Sequence, residues 1–171
     1  MLTLPSPLHP AVVHFPIVLI LLGSGLSVFT VFVRRWHLPW LVAIVLAAGS
    51  GGGVVATWTG EEAEESAESI RAVPEALLHE HQEWGEAARN LALVAAAFAI
   101  ASAAASKVPM FGRGLALVAA VCALAAAYSV GQAGHLGGEL VYRHGVGVEN
   151  LGSVSGAGPE AATKIEKDGN D

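Results

Sequence analysis

The sequence predicts an all-α protein: an integral membrane four-helix bundle with an external acidic connection and a disordered carboxyl-terminal tail. Of its 171 residues, 53% are hydrophobic and only 14% are charged, whereas about 25% are charged in soluble domains. Charged residues are also confined to blocks, with none from Trp36 to Gly60, Asn90 to Ser106 or Leu115 to Gly138. Each gap approaches the roughly 20 residues that cross a bilayer as a helix.

These gaps predict four transmembrane helices at approximately 10–33, 38–58, 82–106 and 113–142. Together they make one domain, residues 1–150. The remaining segment, 151–171, is rich in Gly, Ser, Glu and Lys and has no apolar periodicity, so we expect it to be disordered. The chain start carries no Lys or Arg, which is not the pattern of a cleavable signal peptide.

Loop charges predict the orientation. Arg34 and Arg35 lie between the first two spans, and Lys107 and Arg113 lie between the last two. The opposite connection, 61–86, holds nine Glu and one Arg. Because basic loops stay in the cytoplasm, we expect a bacterial inner membrane protein with both termini and the acidic connection on the periplasmic side.

The first span opens at His9-Pro10, and proline suits the first turn of a helix. At this position His9 is expected to be a solvated residue at the helix end. His14 lies about one turn deeper, where an unpartnered imidazole is costly, and it is therefore a candidate site residue. Pro16 is expected to distort the helix near His14.

Glycines and histidines mark the next two spans. The cluster Gly49–Gly53 predicts close approach of another helix, or of a flat ligand. On a helix, His79 aligns with glutamates and is expected to be solvated, whereas His81 aligns with Gly85 and two alanines and should point into the bundle. Glu86 is the expected partner of Arg89.

The fourth span becomes polar along one face. That face carries Tyr128, Gln132, His135, Glu139 and Tyr142, beside a second stripe made of Gly131, Gly134 and Gly138. An ionisable group in a membrane helix costs about 2.5–3.5 kcal/mol, so such groups usually face a bundle interior, a cavity or a ligand. His144 joins this face if Gly145 and Gly147 end the helix.

Six of the seven histidines converge on the outer half of the predicted bundle, as in a cofactor site built from several helices. Two imidazoles could hold haem b, with glycines admitting the macrocycle and with Tyr142 and Arg143 near the propionates. The deeper pair is His14 with His135 and the shallower pair His81 with His144, so one haem or two are compatible with the sequence. A divalent metal ion bound by three or four imidazoles, with or without Glu139, is the alternative.

Several motifs resemble a known family. They are His9-Pro10-Ala-Val-Val-His14-Phe15-Pro16, Thr59-Gly60, His81-x-x-x-Gly85 and Gly137-Gly138-Glu139-Leu-Val-Tyr142-Arg143-His144-Gly145. In these motifs the chain is similar, over roughly residues 8–148, to the small membrane proteins grouped as domain of unknown function 2231. The resemblance implies four spans and relatives in respiratory or cytochrome-containing contexts. His14, His81 and His144 match the family pattern, and His135 lies just ahead of its final motif.

The expected function is electron transfer by a membrane subunit that holds haem b on its outer side, rather than a stand-alone enzyme. An accessory subunit, a His-rich divalent-metal-binding protein and a quinone site with His135 or Glu139 taking protons are the alternatives. The expected partners are the lipid bilayer and either a soluble cytochrome docked on the acidic connection or subunits of a respiratory complex. No nucleic acid is expected to bind.

Overall fold

The computed structural model describes residues 8–35, 37–68 and 73–146, and these residues are almost entirely helical. The helices are α1 (His9–Val12), α2 (His14–Phe32), α3 (Leu38–Glu68), α4 (Glu75–Ala104) and α5 (Pro109–His144), with a 3₁₀ turn at Ala105–Lys107. Four stretches are long and apolar enough to cross a membrane: His9–Phe32, Leu38–Ala63, Glu75–Ala104 and Pro109–His144. The predicted four-span helical fold is confirmed. The tail, 151–171, lies outside the described residues.

The helices differ from the predicted spans mainly in length. α3 continues to Glu68 and α4 already begins at Glu75, because the acidic connection is rich in Glu and Ala, which favour helix. The first span is interrupted at Val13, between α1 and α2. This break agrees with the expected effect of Pro16, which has no N–H to donate one turn back.

The helices pack in a square. α2 adjoins α3, α3 adjoins α4, α4 adjoins α5, and α5 returns to α2, so that α2 and α4 lie on a diagonal. We call the end where α1 and α4 begin the acidic end. The opposite end, which carries Arg34, Arg35, Lys107 and Arg113, is the basic end.

Small residues fill the centre of the bundle, and large apolar residues cover its outside. Ala92, Ala95 and Ala123 are fully buried, whereas Phe32 is 75% exposed and Ile44 is 63% exposed. Small interior residues let membrane helices approach closely, and bulky apolar residues suit contact with lipid tails. Gly49 shows how close the approach is, because a Cβ there would lie 3.1 Å from Leu19 Cβ.

A side chain at the basic end joins the first span to the last two. Arg34 Nη1 donates to Ser102 Oγ at 2.9 Å and to Gly112 O at 3.0 Å, and its Nη2 donates to Ser102 O at 2.9 Å. Charge-assisted bonds of this kind contribute more than neutral ones. Arg34 therefore ties the end of α2 to the turn between α4 and α5.

The buried positions reveal an internal repeat. Adding 72 to the number of each buried residue of α2 gives a buried residue of α4. The pairs are Pro16 and Ala88, Ile20 and Ala92, Gly23 and Ala95, Ser24 and Ala96, Ser27 and Ala99, and Thr30 and Ser102. An offset of 77 relates α3 to α5 in the same way at Val42 and Ala119, Leu46 and Ala123, and Gly53 and Val130. The two halves are therefore equivalent hairpins related by an approximate two-fold axis along the bundle.

Two glycines of the 49–53 cluster should respond differently when each is replaced by leucine. Gly49→Leu should lower stability by about 1–3 kcal/mol, because the new side chain meets α2. Gly51→Leu is the matched control, since a Cβ at Gly51 has nothing within 4 Å. Thermal unfolding of both variants in detergent checks this, and equal melting temperatures would contradict the packing of α2 on α3.

Candidate functional site

Two histidines from opposite sides of the bundle meet at the acidic end. His9 belongs to α1 and His81 to α4. Their ring centroids are 6.3 Å apart and the ring planes are perpendicular, at 90°. Both residues are half-buried. This arrangement, which we call the histidine pair, is the candidate site.

Each ring of the pair is anchored to the neighbouring helix of its own hairpin. His9 Nδ1 lies 2.8 Å from Ala56 O in α3, and His81 Nδ1 lies 2.9 Å from Ala133 O in α5. A carbonyl oxygen can only accept a hydrogen bond, so Nδ1 of each ring carries the proton and Nε2 keeps its lone pair. Within the described part of the chain, Nε2 of neither ring has a hydrogen-bond partner.

Each ring also lies against a glycine. A Cβ on Gly60 would be 3.1 Å from His9 Cε1, and a Cβ on Gly137 would be 3.0 Å from His81 Cε1. Each glycine follows the accepting alanine by four residues, in the segments 56–60 and 133–137. Both hairpins therefore hold their imidazole with the same Ala-x-x-x-Gly segment.

The histidine pair obeys the internal repeat. His81 follows His9 by 72 residues, and Ala133 and Gly137 follow Ala56 and Gly60 by 77. These are the offsets that relate the buried positions of the two hairpins. The two Nε2 atoms therefore present the same chemistry from opposite sides of the two-fold axis.

Apolar side chains close the bundle above and below the pair. Beyond it, Leu78 and Leu140 are buried together. On the other side, Ile20 packs with Ala88 and with small residues of α4 and α5. The two half-buried imidazoles therefore lie between two apolar clusters.

Two half-exposed glycines near the pair in sequence have open space where a side chain would be. Gly85 lies one turn after His81, and a Cβ there would meet nothing within 4 Å. Gly138 follows Gly137, which contacts the His81 ring, and a Cβ at Gly138 would also meet nothing within 4 Å.

A threonine distinguishes the surroundings of His9 from those of His81. Thr59 is buried, and its hydroxyl lies 3.1 Å from both Val55 O and Ala56 O and 3.5 Å from His9 Nδ1. The equivalent residue of the second hairpin is Leu136, which is also buried and has no hydroxyl. A hydroxyl group therefore lies beside the His9–Ala56 hydrogen bond, and the His81–Ala133 hydrogen bond does not have this hydroxyl.

The structure places the predicted site residues in different surroundings. His14, His135, Gly131 and Gly134 are exposed on the outside of the bundle, Tyr142 is 91% exposed, and Arg143 forms a 2.7 Å ion pair with Glu139. His144 is half-buried in the last turn of α5, which runs unbroken through His144 and is capped by Gly145 with φ 69°. The helix therefore does not turn His144 onto the face of His135. Of the four predicted ligands, His81 is the one that belongs to the histidine pair.

The interpretation of His9 as a solvated residue was wrong. Its ring is half-buried and bonded to a helix 47 residues away. The sequence carried a signal that could have found this contact: two histidines 72 residues apart, each followed by an Ala-x-x-x-Gly segment near the end of the next span. His79 is exposed, as predicted, and Arg89 lies 4.0 Å from Glu86 while also donating to Thr57 Oγ1 at 3.0 Å.

Comparisons with known proteins identify the family. A family model described as "Predicted membrane protein (DUF2231)" matches residues 5–150. Since this is most of the chain, the protein belongs to that family. Neither the curated proteins nor the solved structures contain a match.

The anchoring of the two rings predicts an unusual tautomer. In cofactor-free protein labelled with ¹⁵N-histidine, NMR should show His9 and His81 as neutral rings with the proton on Nδ1, because each Nδ1 faces a carbonyl oxygen. Gly137→Val should remove this signature from His81, whereas Gly138→Val, at an open position, should leave it. A proton on Nε2 in both rings of the unmodified protein would contradict the site as described.

Proposed function

We propose that this DUF2231 membrane protein binds haem b between His9 and His81 and transfers electrons. The observation that carries the proposal is the histidine pair itself. Two imidazoles from different helices stand 6.3 Å apart, each with Nδ1 bonded to a carbonyl and Nε2 without a hydrogen bond in the described chain. Four-helix bundles commonly hold cofactors in this way.

The separation of the rings fits a metal between them. A first-row metal bonds an imidazole nitrogen at about 2.0–2.1 Å, and that nitrogen lies about 1.1 Å from its ring centroid. Two imidazoles that bind one metal therefore have ring centroids about 6 Å apart. The 6.3 Å between the ring centroids is compatible with one metal ion held by His9 and His81.

The hydrogen bonds of the pair are those of metal-binding histidines. A ligating imidazole almost always donates its other N–H to a carboxylate, a backbone carbonyl or water, and this bond fixes the ring and makes it a better ligand. Ala56 O and Ala133 O do this for His9 and His81. The protein thus orients both ligands through its own backbone.

Two imidazole ligands from the protein favour electron transfer over oxygen chemistry. Haem b held by His9 and His81 would supply a one-electron couple with both imidazoles as its protein ligands. The apolar residues around Leu78 and Ile20 would pack on either side of the site. The hydroxyl of Thr59 would make the His9 side electronically distinct from the His81 side.

Haem explains the pair better than a divalent ion held by protein alone. Protein zinc sites use three or four ligands. Among residues 8–35, 37–68 and 73–146, His, Cys, Asp and Glu side chains form no group of three or more that could hold a metal ion. Two imidazoles are a complete axial set for haem and an incomplete set for zinc.

The acidic end suggests the direction of electron flow and the partner. Exposed carboxylates surround the end of the bundle that holds the pair, at Glu61, Glu62, Glu75, Glu80 and Glu83. A negative surface speeds encounter with a positively charged carrier, such as a small basic cytochrome. By the positive-inside rule this end would face the periplasm of a bacterial inner membrane, and a respiratory complex would be the donor on the membrane side.

Replacing either axial ligand should remove the haem signature. In protein purified from haem-supplemented cells, the reduced-minus-oxidised spectrum should show a low-spin b-type haem, and His9→Gly and His81→Gly should each lose it. Added imidazole should restore the spectrum in both variants by entering the space of the missing ring. His14→Gly and His135→Gly are the matched controls, since both side chains are exposed outside the pair.

Two other outcomes would contradict the ligand assignment or the binding of haem. A spectrum that survives in the His9 variant but disappears in the His14 or His135 variant would reassign the ligands. The haem proposal would be contradicted if protein from haem-supplemented cells contained no iron and melted at the same temperature as protein from unsupplemented cells. The protein would then be interpreted as an accessory subunit. Elemental analysis with a pyridine haemochrome assay separates these cases.

A further inference from the structure

In the part of the chain that the structure describes, no acidic residue balances the positive charge of the basic end. The sequence contains no Asp or Glu in 1–60 or in 87–138, and these ranges include Arg34, Arg35, Lys107 and Arg113. Acidic side chains are thus absent from every described helix segment at this end. The positive field of this end therefore attracts anionic ligands.

Three of these cations are available to a ligand. Arg34 is occupied by Ser102 and Gly112. The other three, Arg35, Lys107 and Arg113, are exposed, and none has an ion pair or a side-chain hydrogen bond in the part of the chain that the structure describes. Burial first, and then the charge of Arg113, lower the pKa of Arg34, so the two guanidinium groups lie within each other's field.

An apolar depression adjoins two of these free cations, Lys107 and Arg113. Val108, Met110, Phe111, Gly114 and Leu115 line it, and its volume is about 490 Å³. Met110 is 87% exposed and Phe111 is 62% exposed. Lys107 and Arg113 are immediate chain neighbours of these residues, so cationic and apolar surfaces meet at one place.

We propose that this surface binds an anionic phospholipid, with its phosphate at Lys107 and Arg113 and an acyl chain in the depression. The charge selects an anion, and the apolar lining selects one that carries a hydrocarbon chain. Basic pockets at the ends of membrane helices bind anionic headgroups in this way. Inorganic phosphate would satisfy the cations but would leave Met110 and Phe111 uncovered.

The test compares lipids that differ in headgroup charge. Native mass spectrometry of the purified protein in detergent should show phosphatidylglycerol binding more tightly than phosphatidylcholine with the same acyl chains. We expect a preference of roughly 30-fold, because each Lys or Arg near an anionic lipid contributes a factor of about five. Haem content does not enter this measurement, so it stands apart from the proposed electron transfer.

Variants then locate the site. Lys107→Gln with Arg113→Gln should abolish the preference, whereas Arg143→Gln, an exposed arginine at the acidic end, should retain it. The double variant Met110→Ser with Phe111→Ser should weaken the binding of both lipids about equally. Equal binding of the two lipids by the unmodified protein, a preference that survives loss of both cations, or displacement of the lipid by an equal concentration of inorganic phosphate would each overturn the proposal.

Discussion

Each imidazole of the pair donates its N–H to a backbone carbonyl of a neighbouring helix, and the rest of the site follows from how it does so. A helix carbonyl already accepts from the N–H four residues later, but it keeps a second lone pair. To reach that lone pair, the imidazole must lie against the helix backbone. It then occupies the space that would be taken by the side chain of the residue four positions after the accepting one. Gly60 and Gly137 remove this obstacle, since a Cβ on either would come within 3.1 Å of a ring. Ala-x-x-x-Gly is therefore a receptor for an imidazole donor.

The two-fold repeat determines which ligands suit the pair. A group that binds both Nε2 atoms would meet the same nitrogen donor from each hairpin, which suits a metal that takes two imidazole ligands. The axis is visible at the other end of the bundle as well. A small cavity of about 10 Å³ there is lined by four equivalent pairs: Ser27 and Ala99, Thr30 and Ser102, Pro39 and Ala116, and Val42 and Ala119. The symmetry thus runs through the whole core and is not confined to the site.

Much of the fold could be predicted from the sequence, but the face of each helix could not. Charge gaps located the four spans, the glycine cluster at Gly49 marked a close helix contact, and His81 was correctly placed inside. The polar stripe of α5 was expected to face a ligand, yet Tyr128 is 61% exposed and His135 lies outside. Hydrophobic periodicity does not identify the buried face of these helices, because the interior is lined by Ala, Ser and Gly and the exterior by Leu, Val and Phe. His9 was missed because its acceptor, Ala56, is distant in sequence.

The length of the helices explains why exposed polar groups on α5 are tolerated. Its 36 residues extend about 54 Å as an α-helix, whereas the hydrocarbon core is about 30 Å thick. A helix of this length extends beyond the hydrocarbon. With the basic end at one membrane surface, the last turns, with His135 and Tyr142, would reach the headgroups and water, where the cost of an ionisable side chain largely vanishes. The histidine pair stands at the same level, because His81 bonds to Ala133. A cofactor there would sit where the bundle leaves the hydrocarbon, shielded by Leu78 and Leu140 yet close to a carrier docked on the acidic end.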